Sequence, residues 1–448
     1  MRVKPGTPLS VAVAFGAGAS LPVGRLALDR GVAALEYSAE FIASGLLLNP
    51  ILPAPTRGLI RPKAPTYFGG LHGFLADSLP DAWGSLLLKR RAEEQGIPYS
   101  SLTALDKLAV VGKRGAGALT YEPETARARA GSIDLDALSR EADKLISGQE
   151  TAALGELQQL GGPSGGARPK VLVAINQEGS LVAPSDGDLP PGYEAWLVKF
   201  RSRTHDFEDI GPLEAAYADM ARDAGLDVST TRLIPSARGG PGYFATKRFD
   251  RLPRGRRVHF ISVAGMLDTD WEVPTIDYNE LMKLAQHVTK SHEAVERIFT
   301  RMSFNVLAHN RDDHAKQHGF LMNEEGEWAL APAYDLTHST GPGGEHYFAV
   351  KGRGGDDITV DLMTRLGEEH GVSKATCSAI IERTADAVSR FEEFAGRYDV
   401  SKSTTSQIRR SLNASLARMS GRAVPSVNVS KEESDVDLQQ LLDPATLA

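Results

Sequence analysis

At 448 residues the chain is too long for a single hydrophobic core, so two or more domains are expected. A net charge of −7 excludes bulk electrostatic attraction to nucleic acid, and the lone cysteine, Cys377, excludes an internal disulfide framework or a cysteine-rich metal site. With no long apolar run and no signal peptide, the expected location is cytoplasmic.

The first 60 residues alternate short β-prone runs, Ser10–Phe15, Gly24–Leu28 and Ala34–Tyr37, with glycine-rich turns, which predicts a small sheet. Ser38 is placed to cap a short helix ending at Ser44. In SLPDAWG, Ser78–Gly84, the Pro80-Asp81 pair opens a helical pattern that runs to Gln95, and taken alone this motif reads as a capped helix start. Leu102–Val110 predicts another helix and Ala118–Tyr121 a strand, joined by the glycine-rich Gly112–Gly117. The charged residues 123–150 read as a helical connector.

Leu160–Lys170, LGGPSGGARPK, is a different kind of segment. Gly161, Gly162, Gly165 and Gly166 let backbone N–H groups approach phosphate oxygens, and Arg168 and Lys170 add positive charge at the exit. It is not a Walker motif, because GK[ST] is absent. A strand over Val171–Ile175 follows, then a second over Glu194–Phe200 that carries Lys199. A lysine inside an apolar run is costly to bury without a partner. Glu214, at the start of a helix over Leu213–Ala224, is the available one. Thr231–Pro235 and Tyr243–Phe249 predict further strands, the latter ending in KRFDR, Lys247–Arg251. Beyond Asp277 the pattern turns helical, over Tyr278–Thr289, His292–Leu307, Ser373–Arg397 and Thr404–Met419. Cys377 falls on an amphipathic helical stretch, which predicts a packed structural thiol. Residues 421–448 lack periodicity and read as a loose tail.

The chemistry concentrates in Asn305–Leu336. Asp312 and Asp313 stand beside His314, Gln317 follows Asp312 by five residues, and Asp335 lies beyond a polar turn at Asn323–Gly326 and an apolar run at Trp328–Ala331. A protein kinase places an amide metal ligand five residues after its catalytic Asp and a magnesium-binding Asp across a short hairpin. That spacing, with a glycine loop, a strand lysine and a helix glutamate upstream, reads as a kinase. The bland alternative is a solvated turn. A sharper one is a metal-dependent hydrolase with a mixed N/O cluster of His309, Asp312, Asp313, His314 and His318.

Taken together, SLPDAWG, GGARPK, LVKF, KRFDR, NRDDHAKQHGFL and PAYDL, in this order, resemble HipA-type serine/threonine kinases, the toxins of type II toxin–antitoxin modules. The resemblance spans about residues 8–420. It implies an α+β, kinase-like two-lobe fold: an N-terminal α/β subdomain (1–125), a kinase N-lobe (126–250), an all-α C-lobe (251–422) and a flexible tail (423–448). It further implies Mg2+ and ATP as cofactors, a protein substrate such as an aminoacyl-tRNA synthetase, growth arrest or persistence as the outcome, and a HipB-like helix-turn-helix antitoxin dimer that carries any contact with operator DNA. By position, Asp312 resembles the catalytic Asp, and Asp335 and Gln317 the metal ligands. Gly165, Gly166, Ala167, Arg168, Pro169, Lys170, Lys199, Lys247, Arg248, Phe249, His314, Lys316 and Tyr334 resemble ATP-binding positions. Gln317 departs from the family's usual Asn, and its extra methylene displaces the metal-binding oxygen, which leaves room for a weakly active regulator that binds nucleotide and antitoxin. Ser164 is the candidate for autophosphorylation, one residue from the family's usual serine, a place held here by Pro163.

Overall fold

The computed structural model describes residues 2–4, 6–16, 19–125, 132–161, 166, 168–182, 189–203 and 206–419. The expected tail over 423–448 lies outside them, as do Gly162, Pro163, Ser164, Gly165 and Ala167 of the glycine-rich loop.

The N-terminal strands β1 (Leu9–Gly16), β2 (Ala19–Asp29), β3 (Val32–Tyr37), β4 (Leu59–Ile60) and β5 (Leu119–Glu122) form one antiparallel sheet in the order β4-β3-β2-β1-β5. Along β1 the buried residues Leu9, Val11, Val13 and Phe15 alternate with more exposed ones, the period of two expected of a sheet with one face on a core. Ser38 caps Ala39–Ser44, accepting from the Phe41 N–H at 2.9 Å. Asp81 caps Ala82–Glu94 through the Gly84 N–H at 2.7 Å.

A second antiparallel sheet joins β6 (Lys170–Asn176), β7 (Leu181–Val182), β8 (Tyr193–Lys199), β9 (Thr231–Ile234) and β10 (Tyr243–Lys247) in the order β7-β6-β8-β10-β9. Its two faces have different fates. Val171, Val173, Ile175, Trp196, Val198 and Ala245 pack with Trp83 and with Leu138 and Leu157 from the helices Leu135–Ile146 and Leu154–Leu160. The alternate residues Leu172, Leu197, Lys199, Phe244 and Thr246 face a cleft. Pleating therefore puts Lys199 on the cleft side of β8.

The C-terminal lobe is mainly helical and not all-α as expected, with Tyr278–Thr289, His292–Leu307, Val360–Glu369 and Lys402–Met419 among its helices. It also carries a three-stranded antiparallel sheet, β11 (His259–Ser262), β12 (Gly319–Met322) and β13 (Trp328–Leu330). The single helix expected over Ser373–Arg397 is two, Lys374–Ser389 and Phe391–Arg397, parted at Arg390. The Arg390 guanidinium is held by Asp386 and by Asp223 from a distant helix, a tertiary cause that periodicity does not register. Cys377 is fully buried, which pushes its thiol up to about 11.

The N-terminal sheet shares one continuous core with the C-terminal helices, whereas the second sheet has a core of its own. Gly117 shows how close the first junction is: its φ is +72°, and a Cβ there would come within 2.5 Å of the Phe260 backbone nitrogen on β11. Among the described residues no helix is long and apolar enough to cross a membrane.

Candidate active site

Between the second sheet and the C-terminal lobe lies a cleft with apolar walls, from Leu172 and Leu197 on one side to Phe249, Phe260 and Tyr334 on the other. Its polar end collects Lys199, His314, Lys316, Gln317 and Asp335.

Lys199 is the hub. Its Nζ donates to Glu214 Oε1 at 2.6 Å and also to Asp335 Oδ1. Arg168 bonds the same Glu214 oxygen at 2.9 Å and Asp206 at 2.9 Å. Burial works against the Lys199 charge, but Asp335 and Glu214 outweigh it and hold the ammonium above its usual range. Burial likewise opposes the Asp335 carboxylate, and Lys199 reverses that, keeping it well below the usual carboxylate range. Asp335 sits at φ 57°, a positive value that Asp tolerates better than most non-glycine residues. Gln317 Nε2 donates to its other oxygen at 3.1 Å, so the amide and the acid are side by side.

Asp312 and Asp313 are adjacent in sequence and opposite in environment. Asp313 is buried and accepts from Tyr278 Oη at 2.7 Å, His346 Nδ1 at 3.0 Å and the Tyr347 N–H at 2.9 Å. Burial alone would raise its pKa, but His346 and these hydrogen bonds bring it below the usual value, so it is an ionised anchor. Asp312 is half-exposed. Burial of its carboxyl, then the charges of Asp335 and Asp313, push it up to about 7. Beside it, burial pulls the His314 imidazole down to about 4. The Lys316 N–H donates to His314 Nδ1 at 3.2 Å, which leaves the proton on Nε2, 3.7 Å from Asp312. Trp271 covers this corner, 4.8 Å from the His314 ring and 5.0 Å beneath Lys316 Nζ.

The segment KRFDR joins the lobes. Lys247 and Arg248 line the cleft with Phe249, which packs on Phe260 and Tyr334. Lys247 pairs with Glu194 at 2.6 Å. Asp250 is a rivet that sequence reasoning passed over: it takes Arg248 at 2.6 Å, Arg251 at 2.8 Å and the Gly117 N–H at 2.7 Å, and so ties the lobe junction to the N-terminal sheet.

Some expected cleft residues do not line the cleft, although Asp81 and Gly166, the groups that Lys170 bonds, do. Pro169 gives its carbonyl to the Phe200 N–H at 2.8 Å. Lys170 is buried and turned to Asp81 Oδ2 at 2.8 Å, and it also donates to the Gly166 carbonyl at 3.1 Å. The SLPDAWG motif is therefore more than a helix start, because Asp81 caps its helix with one oxygen and neutralises Lys170 with the other. Nor does the mixed N/O cluster assemble. Asp313 points into the Tyr278–His346 network, His309 stacks on His338 at 5.0 Å, and His318 is buried between Tyr278 and Phe348. Among the described residues no group of three or more His, Cys, Asp or Glu is arranged to hold a metal ion.

An antiparallel sheet bearing a lysine paired to a helix glutamate, set over a helical lobe whose Asp335 and Gln317 line the same cleft, defines a kinase-like two-lobed fold. The chain belongs to the HipA-like family: the HipA-like C-terminal domain matches residues 163–391 and the HipA N-terminal domain residues 18–122. Among solved structures it is similar to HipA of the Shewanella oneidensis MR-1 toxin–antitoxin system, captured with HipB and its operator DNA. The identity is 19%, over 92% of this chain and 98% of that one, with a TM-score of 0.66. A further, weaker likeness is to the Helicobacter pylori proinflammatory kinase CtkA, with 14% identity over 51% of this chain and 89% of that one and a TM-score of 0.34. Comparison with curated proteins finds no match.

Proposed function

We propose that the chain is a magnesium- and ATP-dependent serine/threonine protein kinase acting as the toxin of a type II toxin–antitoxin pair. The observation that carries this reading is Lys199, bonded at once to Glu214 and to Asp335 on the floor of an apolar-walled cleft, with Asp312 close by. The apolar walls suit a purine, and Lys199 suits the phosphates. Asp335 and Gln317 fit a magnesium ion: with the amide turned over, they offer oxygen donors only, and Asp312, whose proton affinity burial raises first and the charges of Asp335 and Asp313 raise further, stands beside them. Bound there, the metal would neutralise charge on the phosphates. Asp312, with a pKa near the working pH, is suited to take the proton of an attacking hydroxyl. The neutral His314 presents its Nε2–H to Asp312 from 3.7 Å, as a dipole and not as a hydrogen bond.

The reading extends to a HipB-like dimer as partner. DNA contact would run through that partner, since a net charge of −7 gives the chain little attraction for phosphates, and the lone protein is expected not to shift operator DNA at physiological salt. An aminoacyl-tRNA synthetase is the proposed target, with growth arrest or persistence following. Gln317's contact favours one second reading, a weakly active regulator, because its amide N–H donates a hydrogen bond to Asp335 instead of offering its oxygen to a metal. Incubation with γ-labelled ATP, magnesium and a cell extract tests both. A labelled protein band that vanishes with Asp312→Ala supports the kinase, whereas nucleotide binding with no label at any time supports the regulator.

A further inference from the structure

Arg311, the residue before Asp312, holds its guanidinium inside the protein, with the side chain 8% exposed. It donates to the Gly344 carbonyl and to Asp356 Oδ1 at 2.5 Å, while its Nε has no partner. The same Asp356 oxygen receives Arg418 at 3.0 Å, from the last turn of Lys402–Met419. The backbone is laid in the same way. The Arg311 N–H donates to the Ser339 carbonyl at 3.3 Å, and the Ser339 N–H to His309 at 2.9 Å. The Arg311 Cβ rests on Gly341, where φ is +67° and an added Cβ would stand 2.7 Å away, so only glycine fits. The segment that follows Asp335 is thus pressed onto the catalytic loop, and one carboxylate between two arginines closes the contact.

In kinases switched on by phosphorylation, a phosphate on the segment after the metal-binding Asp orders it by pairing with arginine. We propose that Asp356 does this here with a carboxylate: it is a positioning residue that holds Arg311, and through it Asp312, so that activity requires no phosphate on this segment. The inference rests on the kinase reading above. Charge arithmetic supports it. Without Asp356, the buried Arg311 and the partly exposed Arg418 would face each other as like charges, and the side chain forced to move is one peptide bond from Asp312. Asp356 itself is 63% exposed, so the pair adds little to global stability and its loss falls on geometry.

The test compares wild-type protein, treated and untreated with phosphatase, with Asp356→Ala and Asp356→Glu. It reads kcat, KM for Mg-ATP, and hydrogen exchange of the Asn310–Asp313 amides. Phosphatase-treated wild type should be at least as active as untreated. Asp356→Ala should lose about 10²-fold in kcat, the scale of an ångström-size misplacement, with KM unchanged and the loop amides exchanging faster, and Asp356→Glu should recover most of the rate. Unchanged kcat in the alanine variant, an equal loss in the glutamate variant, or activity lost on phosphatase treatment would overturn the proposal. If wild type transfers no phosphate at all, the kinase reading fails separately. Exchange then decides alone: faster loop exchange in Asp356→Ala upholds the clamp, and unaltered exchange removes it.

Discussion

Replacing Asp312 by asparagine keeps the shape of the side chain and deletes its charge. Burial and the charges of Asp335 and Asp313 push the wild-type carboxyl from 3.8 up to about 7, so the folded protein holds a proton there that the unfolded chain has released. The sign follows from proton linkage: relative to asparagine, wild type carries no penalty below about pH 4, loses stability as pH rises toward about 7, and levels off above. Solvent screens part of this, because the side chain is 49% exposed. Taking a third of the displacement from 3.8 to about 7, at ~1.36 kcal/mol per pH unit, leaves roughly 1.5 kcal/mol. Asp312→Asn should therefore be about 1.5 kcal/mol more stable than wild type at pH 8 in urea, without nucleotide, and no more stable at pH 4. It should also transfer phosphate ~10²–10⁴-fold more slowly. A variant that gains nothing at pH 8, or gains equally at both pH values, would refute the reasoning.

Asp335→Ala should weaken Mg-ATP binding itself, and unchanged affinity by calorimetry would take Asp335 out of the metal site. Lys199→Met should abolish transfer and cost about 3 kcal/mol in urea unfolding, the low end for a broken buried pair, because Arg168 still partners Glu214; an unmoved transition would contradict the buried pair. Asp81→Asn keeps the helix cap but leaves Lys170 without its carboxylate, which should destabilise the fold by about 3–5 kcal/mol and raise KM for ATP as Gly166 loosens; stability and KM both at wild-type values would speak against the latch.

What could be read in advance depended on whether a residue's partner left a local trace. Lys199 did leave one, since an ammonium in an apolar strand needs an acid, and a single buried glutamate opens the next helix. The pairing of Lys170 with Asp81 left none. The two are 89 residues apart, and each has a sufficient local explanation, a loop charge and a helix cap. Asp312 and Asp313 differ in sequence only by spacing, and it takes Tyr278 and His346, brought in by the fold, to turn one inward. The strands β11 to β13 are three or four residues long, too short for alternation to register, and the Arg390 break depends on Asp223 from another helix. Val360–Glu369 has a local signal of its own in Thr359, a regular N-cap whose hydroxyl oxygen accepts from the Leu362 N–H.

The shared core between the first sheet and the last helices has a consequence for how the chain is made. His259 reaches the Leu48 carbonyl, Asn49 reaches Met266, and the inner face of β1 belongs to the same apolar body as Tyr278 and Phe304. The ribosome completes β5 at Glu122 long before it reaches Tyr278. At ~5–20 residues per second, the intervening 150 or so residues take roughly 8–30 s. For that interval the nascent sheet lacks the C-terminal part of its core, while one face of the second sheet, whose packing partners lie between Trp83 and Ala245, can close on its own. The N-terminal sheet is therefore finished only after the later helices arrive, and it is the surface a chaperone would have to cover.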